Sequence, residues 1–144
     1  MLNKSKELVV SLDLLNEKLH FEGNVRGNDP ISIDYYPPFG DNLGYSPLEL
    51  LLLSLSSCFG STILVLLREM NKNIIGLDII AKGVRKEEQP TGFKTISIIL
   101  NLKSKDINIH DMDKVIKLSK ESFCPVWSML KGSVEMEVKY TLVS

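Results

Sequence analysis

Ser46-Pro47-Leu48-Glu49-Leu50-Leu51-Leu52-Leu53-Ser54-Leu55-Ser56-Ser57-Cys58-Phe59-Gly60-Ser61-Thr62-Ile63-Leu64-Val65-Leu66-Leu67 decides the fold. It opens like a helix, with Ser46 as N-cap, Pro47 at the first helical position and Glu49 at the third, a capping box. From Leu50 to Leu67 there are 18 residues without a charge, close to the length that spans a bilayer. Serines, Gly60 and Thr62 interrupt that run, and Ser54, Ser57, Cys58 and Ser61 follow helical spacing as one stripe of small residues. A helix buried on all sides of a water-soluble domain is therefore expected, ending near Asn71-Lys72-Asn73, in preference to a membrane-associated protein.

Outward from this helix the pattern changes period. Ile96, Ile98, Leu100 and Leu102 alternate with polar or outward positions, and so do Val134, Met136, Val138, Tyr140 and Leu142. Period two predicts half-buried antiparallel strands. A weaker strand is expected over Ile75 to Arg85, turning through Lys86 to Gly92. Leu8 to Asp13, Leu19 to Gly23 and Ile31 to Tyr35 predict an N-terminal meander. A turn-rich loop, Tyr36 to Tyr45, leads into the long helix. A second helix is expected from about Asp111 to Phe123, stopped by Pro125, which opens a short one from Val126 to Lys131. The order predicts one α+β domain over residues 1–144, with antiparallel sheets wrapped around a long buried helix.

At 144 residues, 44% hydrophobic, with 17 basic and 18 acidic side chains, the chain lacks the basic excess of a nucleic-acid binder. Its first residues carry no apolar signal segment, so a cytoplasmic, reducing location is expected, with no membrane partner. No phosphate loop or Gly-x-Gly-x-x-Gly is present, and no cofactor is expected. His20 and His110 have no ligand partners at metal spacing, so no metal site is expected.

The chemistry rests on two cysteines. Cys58 lies mid-helix, and Cys124 sits in Ser122-Phe123-Cys124-Pro125-Val126. Their separation rules out a Cys-x-x-Cys motif and leaves two isolated thiols, a redox couple if the fold joins them. A buried cysteine is otherwise a small hydrophobe. By local physics Cys124, ahead of Pro125 at a helix start, is the more acidic thiol. Tyr35, Tyr36, Phe39, Tyr45 and Trp127 are candidates to line an apolar pocket.

The segment Ser46-Pro47-Leu48-Glu49-Leu50-Leu51-Leu52, with Cys58 eleven residues after the proline, resembles the first-cysteine helix of the OsmC/Ohr family. Cys124-Pro125-Val126 followed by Met129-Leu130 is similar to the second-cysteine segment of its OsmC-like branch. The likeness runs from about His20 to the C-terminus. It implies an intertwined homodimer with active sites at the subunit interface. It also implies a two-cysteine peroxidase in which Cys58 attacks the hydroperoxide, Cys124 resolves it, and a thiol reductant of unknown identity recycles the disulfide. By the same likeness, Arg26, in Asn24-Val25-Arg26-Gly27-Asn28, stabilises the thiolate and Glu49 partners Arg26. In the hydroperoxide-resistance branch the glutamate directly follows the proline; here that position is Leu48 and the glutamate comes one later. The alternative is a non-enzymatic dimer of the same fold that binds an apolar small molecule.

Overall fold

A computed structural model describes residues 6–144. Two compact units divide after Leu50, in the first turn of the long helix α1 (Pro47–Glu69). The chain is α+β, with two sheets and one long helix.

The first unit holds an antiparallel meander, β1 (Ser11–Leu14), β2 (Phe21–Asn24) and β3 (Ile31–Ile33), in the order β1-β2-β3. Turn chemistry sets its hairpins. The Asn16 side chain accepts from the backbone N–H groups of Lys18 (3.0 Å) and His20 (3.1 Å), closing the first. Gly27, at a φ of 86°, supplies the left-handed residue of the second. The strands are shorter than the alternation implied, because β1 pairs only over Ser11–Leu14 and β3 only over three residues. Beyond them, the buried Asp34 organises the loop. Its carboxylate accepts from the N–H groups of Tyr35 (2.7 Å), Leu43 (3.1 Å) and Asp41 (3.2 Å). Burial pushes this carboxyl up, but the three donors and nearby His20 outweigh burial and hold it below its ordinary value. The predicted capping box forms: Ser46 Oγ accepts from Glu49 N (3.3 Å) and Glu49 Oε1 from Ser46 N (2.9 Å).

This unit buries little of its apolar surface. Leu8 and Val10 ahead of β1, and Leu12 and Leu14 within it, are each more than half exposed, as are Tyr36, Phe39 and Tyr45. Among the described residues, every buried hydrophobic one lies at Leu55 or later.

In the second unit α1 meets a sheet of β4 (Gly76–Arg85), β5 (Phe93–Lys103) and β6 (Glu135–Val143), ordered β4-β5-β6. The β4–β5 hairpin is antiparallel, as expected; β5 and β6 pair in parallel, from Thr95↔Glu135 to Lys103↔Val143. Alternation reports which face of a strand is buried and is silent on direction. The chain between these strands carries helices, the crossover that parallel pairing requires. Ile96, Ile98, Leu100 and Leu102 form the buried face of β5.

Against the strands stand Leu55, Phe59, Ile63 and Leu67, fully buried at four-residue spacing on α1. Gly60 lets the helix approach β4, since a Cβ there would meet the tip of Ile79. The hydroxyls of Ser56 and Thr62 are satisfied within the helix, on the carbonyls of Leu52 (2.7 Å) and Cys58 (2.9 Å). Burial on all sides is not what the single chain shows. Leu53, Ser54, Ser57 and Ser61 are exposed and Cys58 is half-buried, so the small-residue stripe lies on an open face. With a mean hydropathy of 2.2 and 39% of its apolar window buried, α1 satisfies a membrane span's length and composition. The helix ends as expected: Asn71 takes a φ of 60°, and Lys72 N donates to Leu67 O (3.0 Å).

The second helix, α2 (Ile109–Leu118), begins two residues before the expected start. Asn108 is its N-cap, and with Asp111 it closes a reciprocal box at 2.9 and 3.0 Å. The remaining residues, Ser119–Phe123, widen into a π-helical turn, with Cys124 N bonded to Ser119 O at 2.9 Å. Proline disfavours a helical conformation in the residue before it. Cys124 is accordingly extended (φ −87°, ψ 105°) and caps α3 (Pro125–Leu130).

Candidate active site

The two cysteines, far apart in sequence, come together in the second unit as free thiols. Cys58 is half-buried on α1; Cys124 is 2% exposed at the start of α3. The Trp127 N–H points at the Cys124 sulfur across 3.5 Å, as an N-cap geometry demands. The Trp127 ring lies 5.3 Å from that of Phe59, the residue after Cys58, at 42°, and Lys120 Nζ sits 5.4 Å from the indole centroid. The aromatic that follows Cys58 and the one three residues after Cys124 thus pack on each other.

The electrostatics reverse the helix-terminus expectation for Cys124. Burial is the largest influence and raises its pKa, the Trp127 N–H lowers it, the Cys58 side chain raises it by hydrogen bonding and charge, and the Val126 N–H lowers it. The net is a thiol pushed up to about 11. A six-residue helix offers two N–H groups, too few to outweigh removal from water. Cys124 is therefore a protonated thiol near neutrality, and the thiolate form is the nucleophile.

Glu49 and Arg26 lie in the first unit and do not pair with one another. Among the described residues the ion pairs are Lys18–Asp41, Lys72–Asp111 and Lys139–Glu137. Arg26 is exposed on the β2–β3 turn, while Glu49 Oε2 accepts the Tyr36 hydroxyl at 2.7 Å. The Ser46 N–H first, then Tyr36 and the Ser46 side chain, hold the Glu49 carboxyl below its ordinary value; the same bond to Glu49 raises the Tyr36 phenol. Tyr36 is a partner that sequence spacing did not reveal. Tyr36 and Tyr45 line a cleft of about 660 Å³ with Pro30, Ile31, Leu43 and Glu49; Tyr35 and Phe39 are outside it, and Trp127 belongs to the other unit. Among the described residues no three His, Cys, Asp or Glu side chains are grouped to hold a metal ion.

A mixed α+β chain with paired thiols, one mid-helix and one before a proline, defines a class of cysteine-bearing OsmC-like folds. The family model for OsmC-like proteins matches residues 40–139, and the chain belongs to that family. It is similar to Protein YhfA of Escherichia coli (strain K12), 23% identical over 99 residues, which cover 69% of this chain and 74% of that one. The OsmC-like protein of Mycoplasma pneumoniae superimposes at a TM-score of 0.83, with 22% identity over 98% of this chain and 100% of that one. The organic hydroperoxide resistance protein OhrB of Bacillus subtilis matches at a TM-score of 0.66, with 20% identity over 94% and 98% of the two chains. At these identities the structures establish the shared fold.

Proposed function

We propose that the protein is a cytoplasmic two-cysteine peroxidase, acting as an intertwined homodimer on organic hydroperoxides. The observation that carries this reading is the meeting of Cys58 and Cys124 as free thiols, with Cys124 held protonated. The name of OhrB, a hydroperoxide resistance protein of the same fold, supports it.

In the first step the Cys58 thiolate attacks one peroxide oxygen. An S–O bond forms, the O–O bond breaks, and the departing alkoxide takes a proton and leaves as the alcohol. Cys58 is then a sulfenic acid. Cys124 attacks its sulfur, giving up its thiol proton; the S–S bond forms and the hydroxyl departs as water. A thiol reductant from outside the chain restores both thiols with two electrons. Burial that keeps Cys124 protonated argues against Cys124 as the thiol that attacks the peroxide.

The thiolate-stabilising role of Arg26 and the orienting role of Glu49 rest on the family likeness alone, since the two do not pair within one chain. The dimer is supported by the bare first unit: Leu8 and Val10 are 75% and 76% exposed, as are large parts of Leu12 and Leu14. A three-stranded sheet with an uncovered apolar strand gains stability when a second copy covers it.

The experiment is peroxide consumption with free thiols counted in parallel. The proposal expects two thiols lost per hydroperoxide reduced. A dimer that binds an apolar molecule without losing thiols would support the ligand-binding alternative.

A further inference from the structure

Trp127 is the only tryptophan in the chain, and it touches Cys124 and the neighbour of Cys58 without being a nucleophile. Its backbone N–H fixes the Cys124 sulfur at 3.5 Å. Its ring packs at 5.3 Å on Phe59, one residue from Cys58. Lys120, from the π-helical turn, places its ammonium 5.4 Å from the indole centroid. Trp127 is buried and Phe59 is fully so. The indole thus contacts both the helix bearing one cysteine and the turn that delivers the other.

We propose that Trp127 is a positioning residue for the Cys58–Cys124 couple: the Phe59–Trp127–Lys120 stack sets how often the two sulfurs meet, and so governs disulfide closure but not attack on peroxide. The inference rests on reading the two cysteines as a disulfide couple. Closure is intramolecular, so its equilibrium depends on the effective concentration of one sulfur about the other. Aromatic pairs prefer defined offset or tilted geometries, and a cation over the ring adds a further restraint. Releasing the ring therefore frees α3, and with it Cys124, while the backbone N–H that holds the sulfur remains in any substituted chain.

The test is the thiol–disulfide equilibrium of the full-length protein in glutathione redox buffers, read by mass spectrometry of the Cys58 and Cys124 peptides. Trp127→Leu should lower the equilibrium constant for closure by about three- to tenfold, the scale of one aromatic pair. That is a rise of about 15–30 mV in the potential of the two-electron couple. Trp127→Phe, which keeps an aromatic ring against Phe59, should recover most of the loss. Alkylation of Cys58 at fixed pH should stay within about twofold of the parent in both variants, by the same scale. An unchanged equilibrium in Trp127→Leu, or an equal loss in Trp127→Phe, would overturn the proposal. Should Trp127→Leu fail to fold, the parent protein still decides: closing the disulfide beside the lone indole must change its emission, and an unchanged spectrum would overturn the proposal. Each readout is independent of peroxide turnover, so a protein that lacks peroxidase activity but shows the tryptophan effect would separate the two readings.

Discussion

The Cys124 sulfur accepts a hydrogen bond from the backbone N–H of Trp127 at 3.5 Å, at the point where a π-helical turn hands the chain to α3. Burial and the neighbouring Cys58 raise the Cys124 pKa and that bond lowers it, leaving a thiol pushed up to about 11. In the proposed division of labour between the cysteines, Cys58 attacks and Cys124 resolves.

Cys58→Ser should abolish peroxide consumption even with a chemical thiol in excess. Cys124→Ser should keep the first turnover and trap Cys58 as a sulfenic acid, since attack and resolution are separate steps. Dimedone labelling of Cys58 in single-turnover mixtures checks both. The reverse pattern would assign attack to Cys124.

Alkaline pH should weaken the fold through Cys124. Its folded pKa, about 11, lies above the ordinary value of 9.0, so the native state binds the more protons between those limits. Stability from this group is complete below pH 9 and is lost as pH rises toward 11. Urea midpoints of the reduced protein should fall across that window by a smaller amount in Cys124→Ser, which has no thiol to titrate. Parallel curves would contradict the assignment.

Acid should act on the first unit. The folded carboxyls of Asp34 and Glu49 both lie below their ordinary values. Their contribution is therefore present above the unfolded carboxylate pKa and is lost as pH falls through the folded one. Ser46→Ala removes the capping hydroxyl and, through it, one support of Glu49; it should cost about 1 kcal/mol in urea unfolding at neutral pH.

Much of this was legible in the sequence, for identifiable reasons. The capping box at Ser46 and Glu49 is local chemistry, and it formed as read. The alternation of Ile96 to Leu102 named the buried face of β5 correctly. Strand direction was not legible, because the parallel partner of β5 depends on where the crossover returns the chain. The start of α2 was carried by Asn108 and Asp111, a capping box of the same kind as the first, and the signal was available. The acidity of Cys124 was misread because a helix terminus is visible in sequence whereas burial is not. Tyr36 was seen as a pocket aromatic, but its bond to Glu49 crosses a loop whose path Asp34 sets.

Sedimentation of the reduced protein should show a dimer at micromolar concentration. Substituting Leu12 by Asp on the exposed strand β1 should shift it toward monomer, because a charge would then face the apolar contact. A concentration-independent monomer in the parent protein would contradict the intertwined dimer.

The most direct test is mass spectrometry of the reduced protein after one equivalent of an alkyl hydroperoxide. The account predicts an intrachain Cys58–Cys124 disulfide, loss of two free thiols and one equivalent of the alcohol. A sulfinic acid on Cys58 with Cys124 still reduced, or two intact thiols with the hydroperoxide unspent, would contradict it.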